Sequence, residues 1–305
     1  MVDNNDISPK AVRVDTVNNE SGSEHPYRFD VARFDEVHPV VSGNKAYKLR
    51  YNLQETFAQK KSGIITMGGA YSNHLAATAF ACREAGLRSA ALIRGEITEP
   101  LNPTLFFCKQ NEMELFATPR SSFHQADPFV QEILHRYSDY LFVPEGGNNA
   151  WGRAGAAEML HQVKEIEAYT HIVVAIGTGT TFRGIADAIL PTQKIIGIPV
   201  IKVKKSEQQQ FVSELQENAK GKKMHLFFEY AGKGYARADD ALFQFINRFY
   251  EETGIPTDFV YTGKLMLAVT SLWQHSFFPG DSNVLVIHSG GLQGNQSLPE
   301  GTLIF

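Results

Sequence analysis

A lysine with the surroundings of a nucleophile stands near the start of the chain. In Ser42–Leu49 (SGNKAYKL), Lys45 follows Gly-Asn and opens a run of helical composition. The N-terminus of a helix disfavours positive charge, and Lys48 places a second ammonium one turn further on. Both effects lower the pKa of the Lys45 amine, and a lysine with a lowered pKa is a good Schiff-base nucleophile. Taken alone, the segment also fits two surface lysines on an amphipathic helix.

A glycine-containing turn carries polar groups suited to binding a carboxylate. It runs from Thr66 to His74 (TMGGAYSNH) and includes the end of a short apolar segment. Its two glycines let the backbone approach a ligand closely. Ser72 and Asn73 then stand at a predicted helix start, where free backbone N–H groups bind anions. The alternative is that Ser72 or Asn73 serves only as the helix N-cap, and that His74 is a packed or exposed histidine.

A second turn, Gly177–Thr181 (GTGTT), has the residues of a phosphate site. It lies between an apolar strand pattern and a predicted helix, so its small residues and hydroxyls surround a helix N-terminus. It lacks the lysine of a P-loop and the GxGxxG spacing of dinucleotide sites, which leaves an isolated phosphate as the predicted ligand. The alternative is a tight turn with hydroxyl caps.

Three further segments offer contacts for a planar cofactor or for its substrate. They are Pro144–Asn149 (PEGGNN), Val260–Lys264 (VYTGK) and His288–Gly291 (HSGG). The first is a candidate hinge or ligand wall. Tyr261 is a candidate to lie beside a planar ring, and a hydroxyl of Thr262 or Ser289 to meet a pyridine nitrogen. Each segment is also explained by an ordinary loop or turn.

Apolar strands and helical segments alternate along the chain, which predicts an α/β protein with parallel sheets covered by helices. Predicted strands are 62–67, 89–93, 114–117, 141–143, 171–176, 194–199 and 284–287. Predicted helices are 73–85, 102–111, 127–137, 154–167, 181–189, 206–219 and 239–253. Such folds place ligands at the carboxyl ends of strands. The glycines at 68–69, 177 and 290–291 stand at or just after the ends of predicted strands.

Composition argues against several classes of function. The 305 residues suffice for one large or two medium domains, and the net charge of -4 comes from both signs spread along the chain. Without a basic block or stripe, no nucleic-acid partner is expected. Cys82 and Cys108 make no disulfide framework, which suggests a reduced, cytoplasmic setting, and no apolar run is long enough to predict a membrane span. Neither HExxH nor a CxxC pair occurs, so no metal site is expected.

Six motifs, in the order in which they occur, resemble the 1-aminocyclopropane-1-carboxylate (ACC) deaminase and D-cysteine desulfhydrase family of pyridoxal 5'-phosphate (PLP) enzymes. The family pattern contains Gly-Asn-Lys-x-x-Lys-Leu, Gly-Gly-x-x-Ser-Asn, Pro-Glu-Gly-Gly, Gly-Ser/Thr-Gly-x-Thr, Val-Tyr-x-Gly-Lys and His-Thr/Ser-Gly-Gly. The resemblance runs from about Arg33 to Gly291.

This resemblance implies an α/β fold of a known kind, the two-domain type II PLP-dependent enzyme fold related to the tryptophan synthase β-subunit. The larger PLP-binding domain would combine residues 1–50 with 145–305, and the smaller α/β domain would comprise 51–144. The cofactor would lie in the cleft between them. Such enzymes are typically homodimers.

The resemblance also implies roles for individual residues. Lys45 would carry PLP as a Schiff base and then move the Cα proton of the substrate. Lys48 and Gly177–Thr181 would hold the phosphate. The residues implied in catalysis are Lys45, Ser72 and Tyr261. The implied cofactor contacts are Lys45, Lys48, Asn73, Gly177, Thr178, Gly179, Thr180, Thr181, Tyr261, Thr262 and Ser289. The implied substrate contacts are Tyr71, Ser72, Asn73 and His74.

The reaction implied is β-elimination from a small amino acid. The cofactor acts as an electron sink, a leaving group such as sulfide departs, and hydrolysis yields a keto acid and ammonia. Thr262 and His74 favour the D-cysteine desulfhydrase type, because ring-opening deaminases have glutamate and glutamine there. Tyr47 and Tyr71 depart from the arginine and glutamine usual in the family, and Tyr71 would narrow the pocket beside Ser72.

Three alternatives stay open at this point. Another PLP reaction on the same fold, such as ACC deamination, hydroxyamino-acid dehydration or racemisation, fits the same motifs. A PLP-binding protein with little catalysis is the second alternative. The third is a nucleotide-binding α/β protein that uses Gly177–Thr181.

Overall fold

The computed structural model describes residues 11–19, 27–216 and 221–305. Its strands are β1 (Val14–Asn18), β2 (Arg28–Arg33), β3 (Gly63–Gly69), β4 (Arg88–Arg94), β5 (Glu114–Thr118), β6 (Tyr140–Val143), β7 (His171–Ile176), β8 (Lys194–Pro199), β9 (Lys223–Leu226) and β10 (Val284–His288). Its helices are α1 (Asn44–Ala58), α2 (Asn73–Glu84), α3 (Pro103–Gln110), α4 (Pro128–Arg136), α5 (Ala150–His161), α6 (Thr180–Ala188), α7 (Lys205–Gln216), α8 (Asp240–Thr253) and α9 (Thr262–Gln274).

The strands form two separate sheets. One has six strands in the order β1-β2-β10-β7-β8-β9, and the other has four in the order β5-β4-β3-β6. All neighbouring strands run parallel except β1 and β2, which pair antiparallel at the edge of the larger sheet. The predicted α/β class is confirmed, with this one antiparallel edge as a correction to an all-parallel sheet.

The central strands are buried on both faces, which explains their continuous apolar sequence. Every residue of β7 and β10 is buried. Alternate side chains of a strand point to opposite faces, so Ile172 and Val174 join a core with α1, α5 and α6, whereas Val173 and Ala175 join a core with α8 and α9. In the smaller sheet, alternate residues of β4 likewise divide between a core with α2 and α3 and a core with α4.

Each predicted strand and helix has a counterpart, and most boundaries agree within two residues. The helix predicted at 154–167 instead covers Ala150–His161. It begins earlier because the side chain of Asn149 caps it by accepting from the N–H of Gly152 at 2.8 Å. The helix predicted at 206–219 is seen to Gln216, and its last three predicted residues lie outside the described ranges. The sequence patterns did not predict β1, β2, β9 or α9. No helix in the described part of the chain has the length and apolar character to cross a membrane.

The two sheets are built from different parts of the chain. The four-stranded sheet is built from residues between 63 and 143, and the six-stranded sheet from residues outside that range. The predicted boundary between residues 50 and 51 falls inside α1, which packs against α5. The domain limits themselves stay a prediction.

Candidate active site

A cleft of about 400 Å³ is lined by residues that follow the carboxyl ends of β3 in the smaller sheet and of β7 and β10 in the larger sheet. Of the predicted site residues, it brings together Lys45, Lys48, Ser72, Asn73, His74, Gly177, Thr178, Gly179, Thr181, Tyr261 and Ser289. The structure places Tyr71, Thr180 and Thr262 outside the lining of this cleft.

A close backbone contact fixes the start of α1 and with it Lys45. Gly43 has φ +64°, and a Cβ atom there would lie 1.9 Å from the carbonyl oxygen of Ser289, so the position requires glycine. The N–H of Asn44 donates to that same carbonyl at 3.1 Å. Lys45, the second residue of the helix, donates from Nζ to Oδ1 of Asn44 at 2.6 Å. The loop after β10 therefore sets the position of the lysine.

The amine of Lys45 is poised for nucleophilic chemistry. Burial lowers its pKa to about 8, although the carboxylate of Asp258 acts in the opposite direction. The lowered pKa agrees with the sequence interpretation, but its main cause is burial rather than the neighbouring Lys48. An amine with such a pKa is far more often neutral near pH 7 than an ordinary lysine, whose pKa is 10.5.

Two further basic residues, Lys48 and Arg183, lie close enough for charge to act between them and between Lys48 and Lys45. The pKa of Lys48 lies well below its ordinary value because of burial first, and then because of the charges of Lys45 and Arg183. Its Nζ donates to the carbonyl of Gly146 at 3.0 Å. Like charges brought together in a buried place favour an anionic ligand, which would offset their repulsion.

The predicted phosphate turn has the expected conformation. Gly179 adopts φ +82° and precedes the first residue of α6, so the turn ends at a helix N-terminus with free N–H groups. Thr181 faces the cleft and accepts from Nδ2 of Asn44 at 2.7 Å. The implied cofactor contact of the Thr180 side chain is wrong. This side chain is buried and donates to Oδ1 of Asn148 at 3.0 Å, outside the cleft lining.

At the start of α2, the same residues form a helix cap and line the cleft, so the two interpretations of Ser72 and Asn73 do not exclude each other. Ser72 is the N-cap, accepting from the N–H of His74 at 3.2 Å, and it also lines the cleft. Asn73 donates from Nδ2 to the carbonyl of Gly291 at 3.4 Å, which links α2 to the loop after β10. Its Oδ1 is buried and has no hydrogen-bond partner among the described residues.

His74 is a buried, neutral side chain at the wall of the cleft. Burial lowers its pKa to about 3, with smaller contributions from Lys45 and Lys48. Its Nε2 lies 3.0 Å from the hydroxyl of Thr66, which already donates to the carbonyl of Val143 at 2.7 Å. The proton must therefore sit on Nε2, and Nδ1 is left as a buried acceptor with no partner among the described residues.

Tyr261 lies beside the phosphate turn and meets a second tyrosine. A Cβ atom on Gly177 would lie 2.9 Å from Cε1 of Tyr261, so glycine lets the ring approach the turn. The hydroxyl of Tyr261 donates to that of Tyr235 at 3.3 Å. Burial and the neighbouring hydroxyl and carboxylates raise the pKa of Tyr261 well above its ordinary value, which keeps the hydroxyl protonated.

Two further predictions are corrected by the geometry. The hydroxyl of Thr262 is fully buried and donates to Oδ1 of Asp258 at 2.7 Å, so it does not face the cleft; of the two candidate hydroxyls, only that of Ser289 belongs to a lining residue. Tyr71 is 47% exposed and does not narrow the cleft, because the turn closed by the bond from the N–H of Ser72 to the carbonyl of Gly69 leaves it outside.

Sequence comparison identifies the class of protein. A model of the pyridoxal-phosphate dependent enzyme family matches residues 32–290. The chain belongs to this family. PLP is therefore its cofactor, rather than the nucleotide considered for Gly177–Thr181.

Two relatives that share one name are similar to this chain over most of its length. The D-cysteine desulfhydrase of Salmonella paratyphi A is 28% identical over 291 residues, which cover 88% of each chain. That of Salmonella typhi is 28% identical over 279 residues, covering 84% of this chain and 85% of the relative.

Solved structures of family members confirm the type II fold. An ACC deaminase homologue superposes with a TM-score of 0.77 at 22% identity, covering 95% of this chain and 92% of the other. An O-acetylserine dependent cystathionine β-synthase from Helicobacter pylori superposes with a TM-score of 0.68 at 16% identity, covering 96% of both chains.

Three independent observations indicate that the cleft fits the cofactor of this family. The partnerless Oδ1 of Asn73 is a buried polar atom that a ligand would satisfy. The repulsion between Lys45 and Lys48 calls for an anion such as phosphate. The N-terminus of α6, preceded by Gly179, supplies backbone donors for the same group.

The sequence interpretation did not assign a role to several lining residues, among them the polar residues Arg94, Glu145 and Tyr235. Arg94 stands at the end of β4, a position that the strand-end rule for ligands would have marked. Glu145 lies in the glycine-rich segment that was considered only as a hinge or wall. Tyr235 follows Gly232 and Gly234, whose φ angles are +57° and +99°, and precedes Ala236, whose φ angle is +50°. The sequence did not predict this backbone conformation, which carries Tyr235 to the cleft.

Proposed function

We propose that the protein is a PLP-dependent lyase that removes a β-substituent from a small amino acid, and that D-cysteine is converted to pyruvate, ammonia and sulfide. The observation that carries the proposal is the presence of the Lys45 amine and the start of α2 in one cleft. The names of the relatives support D-cysteine as the first substrate to test.

Five groups would hold the cofactor in the proposed site. Lys45 would bind it covalently, and Lys48 with the backbone N–H groups of Gly177–Thr181 would bind its phosphate. Asn73 would contact its phenolic oxygen, and Ser289 its ring nitrogen. When bound, PLP supplies an electron sink that stabilises negative charge at the substrate Cα.

The remaining chemistry belongs to side chains of the protein. The substrate carboxylate would bind Ser72 and the free N–H groups at the start of α2, which orients Cα toward Lys45. The amine of Lys45, whose pKa is about 8, is suited to accept the Cα proton near neutral pH. Tyr261 and Tyr235, joined through their hydroxyls, would cover the reacting atoms against water.

The hydroxyl of Ser289 favours elimination over ring opening in this proposal. A carboxylate beside the pyridine nitrogen would keep that nitrogen protonated and strengthen electron withdrawal, whereas a hydroxyl does not supply the charge. Elimination of sulfide places a smaller demand on electron withdrawal than cleavage of a cyclopropane ring. The position of Ser289 in the cleft lining therefore supports a D-cysteine desulfhydrase type of reaction.

Absorbance spectroscopy with product analysis tests the proposal. Purified protein supplied with PLP should show the visible band of the lysine-bound cofactor, and Lys45→Ala should lose it. Lys109→Ala, at an exposed lysine on α3, should retain it. D-cysteine should shift the band and yield sulfide and pyruvate, whereas ACC should yield neither ammonia nor a keto acid. A band that shifts with no product would identify a binder, and ammonia from ACC would identify a deaminase.

The homodimer and the cytoplasmic location expected from the sequence stay predictions. Sedimentation of the PLP-loaded protein tests the first, with a mass of twice 33.9 kDa as the expected result.

A further inference from the structure

Arg94 lies beside the turn that carries the proposed carboxylate site. It is the last residue of β4, and its register partner on β3 is Gly69. Gly69 in turn accepts a hydrogen bond of 2.9 Å from the N–H of Ser72. Paired strands lie about 4.8 Å apart, so the backbone of Arg94 is close to the start of α2. Its side chain lines the same cleft as Lys45.

The guanidinium of Arg94 is held in place but uses little of its hydrogen-bonding capacity. Its central carbon lies 4.4 Å from the ring centre of Phe123, a cation–π arrangement. Nη2 donates to Oε2 of Glu145 at 3.2 Å, the one hydrogen bond that this guanidinium makes with any residue in the described ranges. Because arginine carries five N–H donors in a rigid fork, Arg94 has donors left for a second carboxylate.

Arg94 is the cationic group of the proposed site that is available to bind a substrate side chain. In the proposed site, Lys45 and Lys48 serve the cofactor, and the substrate α-carboxylate lies at the start of α2. Glu145 is the one carboxylate among the described residues that line the cleft. Its pKa is raised by burial, an effect that Arg94 opposes. Glu145 therefore competes with any other anion for the same guanidinium.

We propose that Arg94 binds a negatively charged group on the substrate side chain, so that the site favours small amino acids whose β-carbon carries an anionic substituent such as a carboxylate or sulfinate. This inference rests on the proposed function, because it requires the α-carboxylate at the start of α2. D-cysteine tests the reaction type, and an anionic amino acid tests the preference. A guanidinium fork distinguishes aspartate from its neutral isostere asparagine.

Calorimetric titration of the PLP-loaded protein with both enantiomers of aspartate and asparagine tests this preference. We expect at least one enantiomer of aspartate to bind about tenfold or more tightly than the matching asparagine. Arg94→Gln should abolish the difference, whereas Glu145→Gln should increase it by removing the competing carboxylate. Arg120→Gln, at an exposed arginine outside the cleft, should leave the difference unchanged.

Two results would overturn the preference for an anionic side chain. One is equal affinity for aspartate and asparagine in the unchanged protein. The other is a loss in Arg94→Gln that affects both ligands equally, which is what a merely structural ion pair with Glu145 would give. If Arg94→Gln does not fold, Arg94→Lys replaces it and should keep only part of the discrimination.

Failure of the proposed function has a different signature. In that case D-cysteine and asparagine also produce neither heat of binding nor a change in cofactor absorbance, and the role of Arg94 falls with it. If the neutral amino acids bind and aspartate gains nothing, the proposed function stands and only the role of Arg94 is wrong.

Discussion

The hydroxyl of Thr262 bonds to both the side chain and the main chain of Asp258 at the start of α9. The hydroxyl donates to Oδ1 of Asp258 at 2.7 Å and accepts from the N–H of Asp258 at 2.8 Å. The same carboxylate accepts from the N–H groups of Val260 and Tyr261 at 2.9 and 2.8 Å. Burial raises the pKa of Asp258, and these hydrogen bonds counteract it. The arrangement fixes the backbone that carries Tyr261 into the cleft.

Thr262→Val is accordingly expected to act on stability rather than on the cofactor. The change keeps the shape of the side chain but leaves the buried N–H of Asp258 without its acceptor, at a cost of about 1–3 kcal/mol. Oδ1 of Asp258 loses the hydroxyl but keeps the hydrogen bond from the N–H of Thr262. Urea unfolding of the protein without PLP measures this loss, and Thr262→Ser should avoid most of it. If Thr262→Val instead shifts the cofactor absorbance and leaves stability unchanged, the hydroxyl of Thr262 contacts the ring nitrogen and this prediction is wrong.

Ser289→Ala should instead weaken the binding of PLP and leave the stability of the protein nearly unchanged. If the hydroxyl contacts the ring nitrogen, its removal costs one neutral hydrogen bond and weakens PLP binding by roughly 3- to 10-fold. The backbone carbonyl of Ser289, which receives the N–H of Asn44, is retained, so stability should change little. Fluorescence titration with PLP gives the affinity, with the exposed Ser121→Ala as the control. An unchanged affinity and spectrum would exclude the contact.

The lowered pKa of Lys45 predicts how fast the protein captures its cofactor at different pH values. Only the neutral amine reacts with the aldehyde of PLP, and burial puts the pKa of Lys45 at about 8 instead of its usual 10.5. The rate should therefore rise as the pH passes through about 8 and level off above it. Stopped-flow measurement of the absorbance band on protein freed of PLP gives this profile. A rate that continues to rise toward pH 10.5 would mean an amine with an ordinary pKa.

The same burial makes a prediction about folding. Below pH 8, Lys45 is protonated in both the folded and unfolded states. Between about pH 8 and 10.5 the unfolded chain binds the extra proton, so the contribution of Lys45 to stability increases with pH over this window. Lys45→Met should remove this contribution. Urea unfolding of the PLP-free protein at several pH values checks the difference between the two, and parallel curves would contradict it.

The sequence located the backbone of the site because that part depends on local patterns. Gly43, Gly177 and Gly179 are needed for contacts or φ angles that only glycine tolerates, and such positions stand out in a sequence. Strands buried on both faces, such as HIVVAI in β7, are equally visible, because five of the six residues of β7 are apolar and follow one another without interruption. Since parallel strands end at one edge of a sheet, these turns were expected near a common ligand.

Side-chain direction and long-range contacts could not be read in the same way. Thr262 follows Tyr261 directly in a motif, but the first turn of α9 sends its hydroxyl to Asp258 instead of the cleft. Tyr71 is next to Ser72, yet it is outside the cleft lining. Arg94 reaches the site only through the pairing of β4 with β3, which a single sequence does not specify.

Lys264 connects the segment that carries Tyr235 to the body of the protein. Its side chain is buried, and Nζ donates to the carbonyls of Ala231 at 3.1 Å and Gly234 at 2.6 Å. Tyr235 follows directly, half exposed, with its hydroxyl against that of Tyr261. Burial lowers the pKa of Lys264 to about 8, although Asp258 and Asp239 oppose this effect. A buried lysine on two carbonyls of one loop is a positioning residue for Tyr235.

Lys264→Met should loosen this segment and slow turnover without removing the cofactor. Two buried carbonyls lose their donor, so hydrogen exchange in residues 232–237 should become faster. Because Tyr235 is misplaced, kcat on D-cysteine should fall roughly 10- to 100-fold. Lys233→Met, at an exposed lysine in the same segment, should change neither quantity. In a Tyr235→Phe background the effect of Lys264→Met on kcat should largely disappear, because both changes act through one hydroxyl. An equal loss of kcat in both backgrounds, or unchanged exchange in the segment, would show that Lys264 acts through another group.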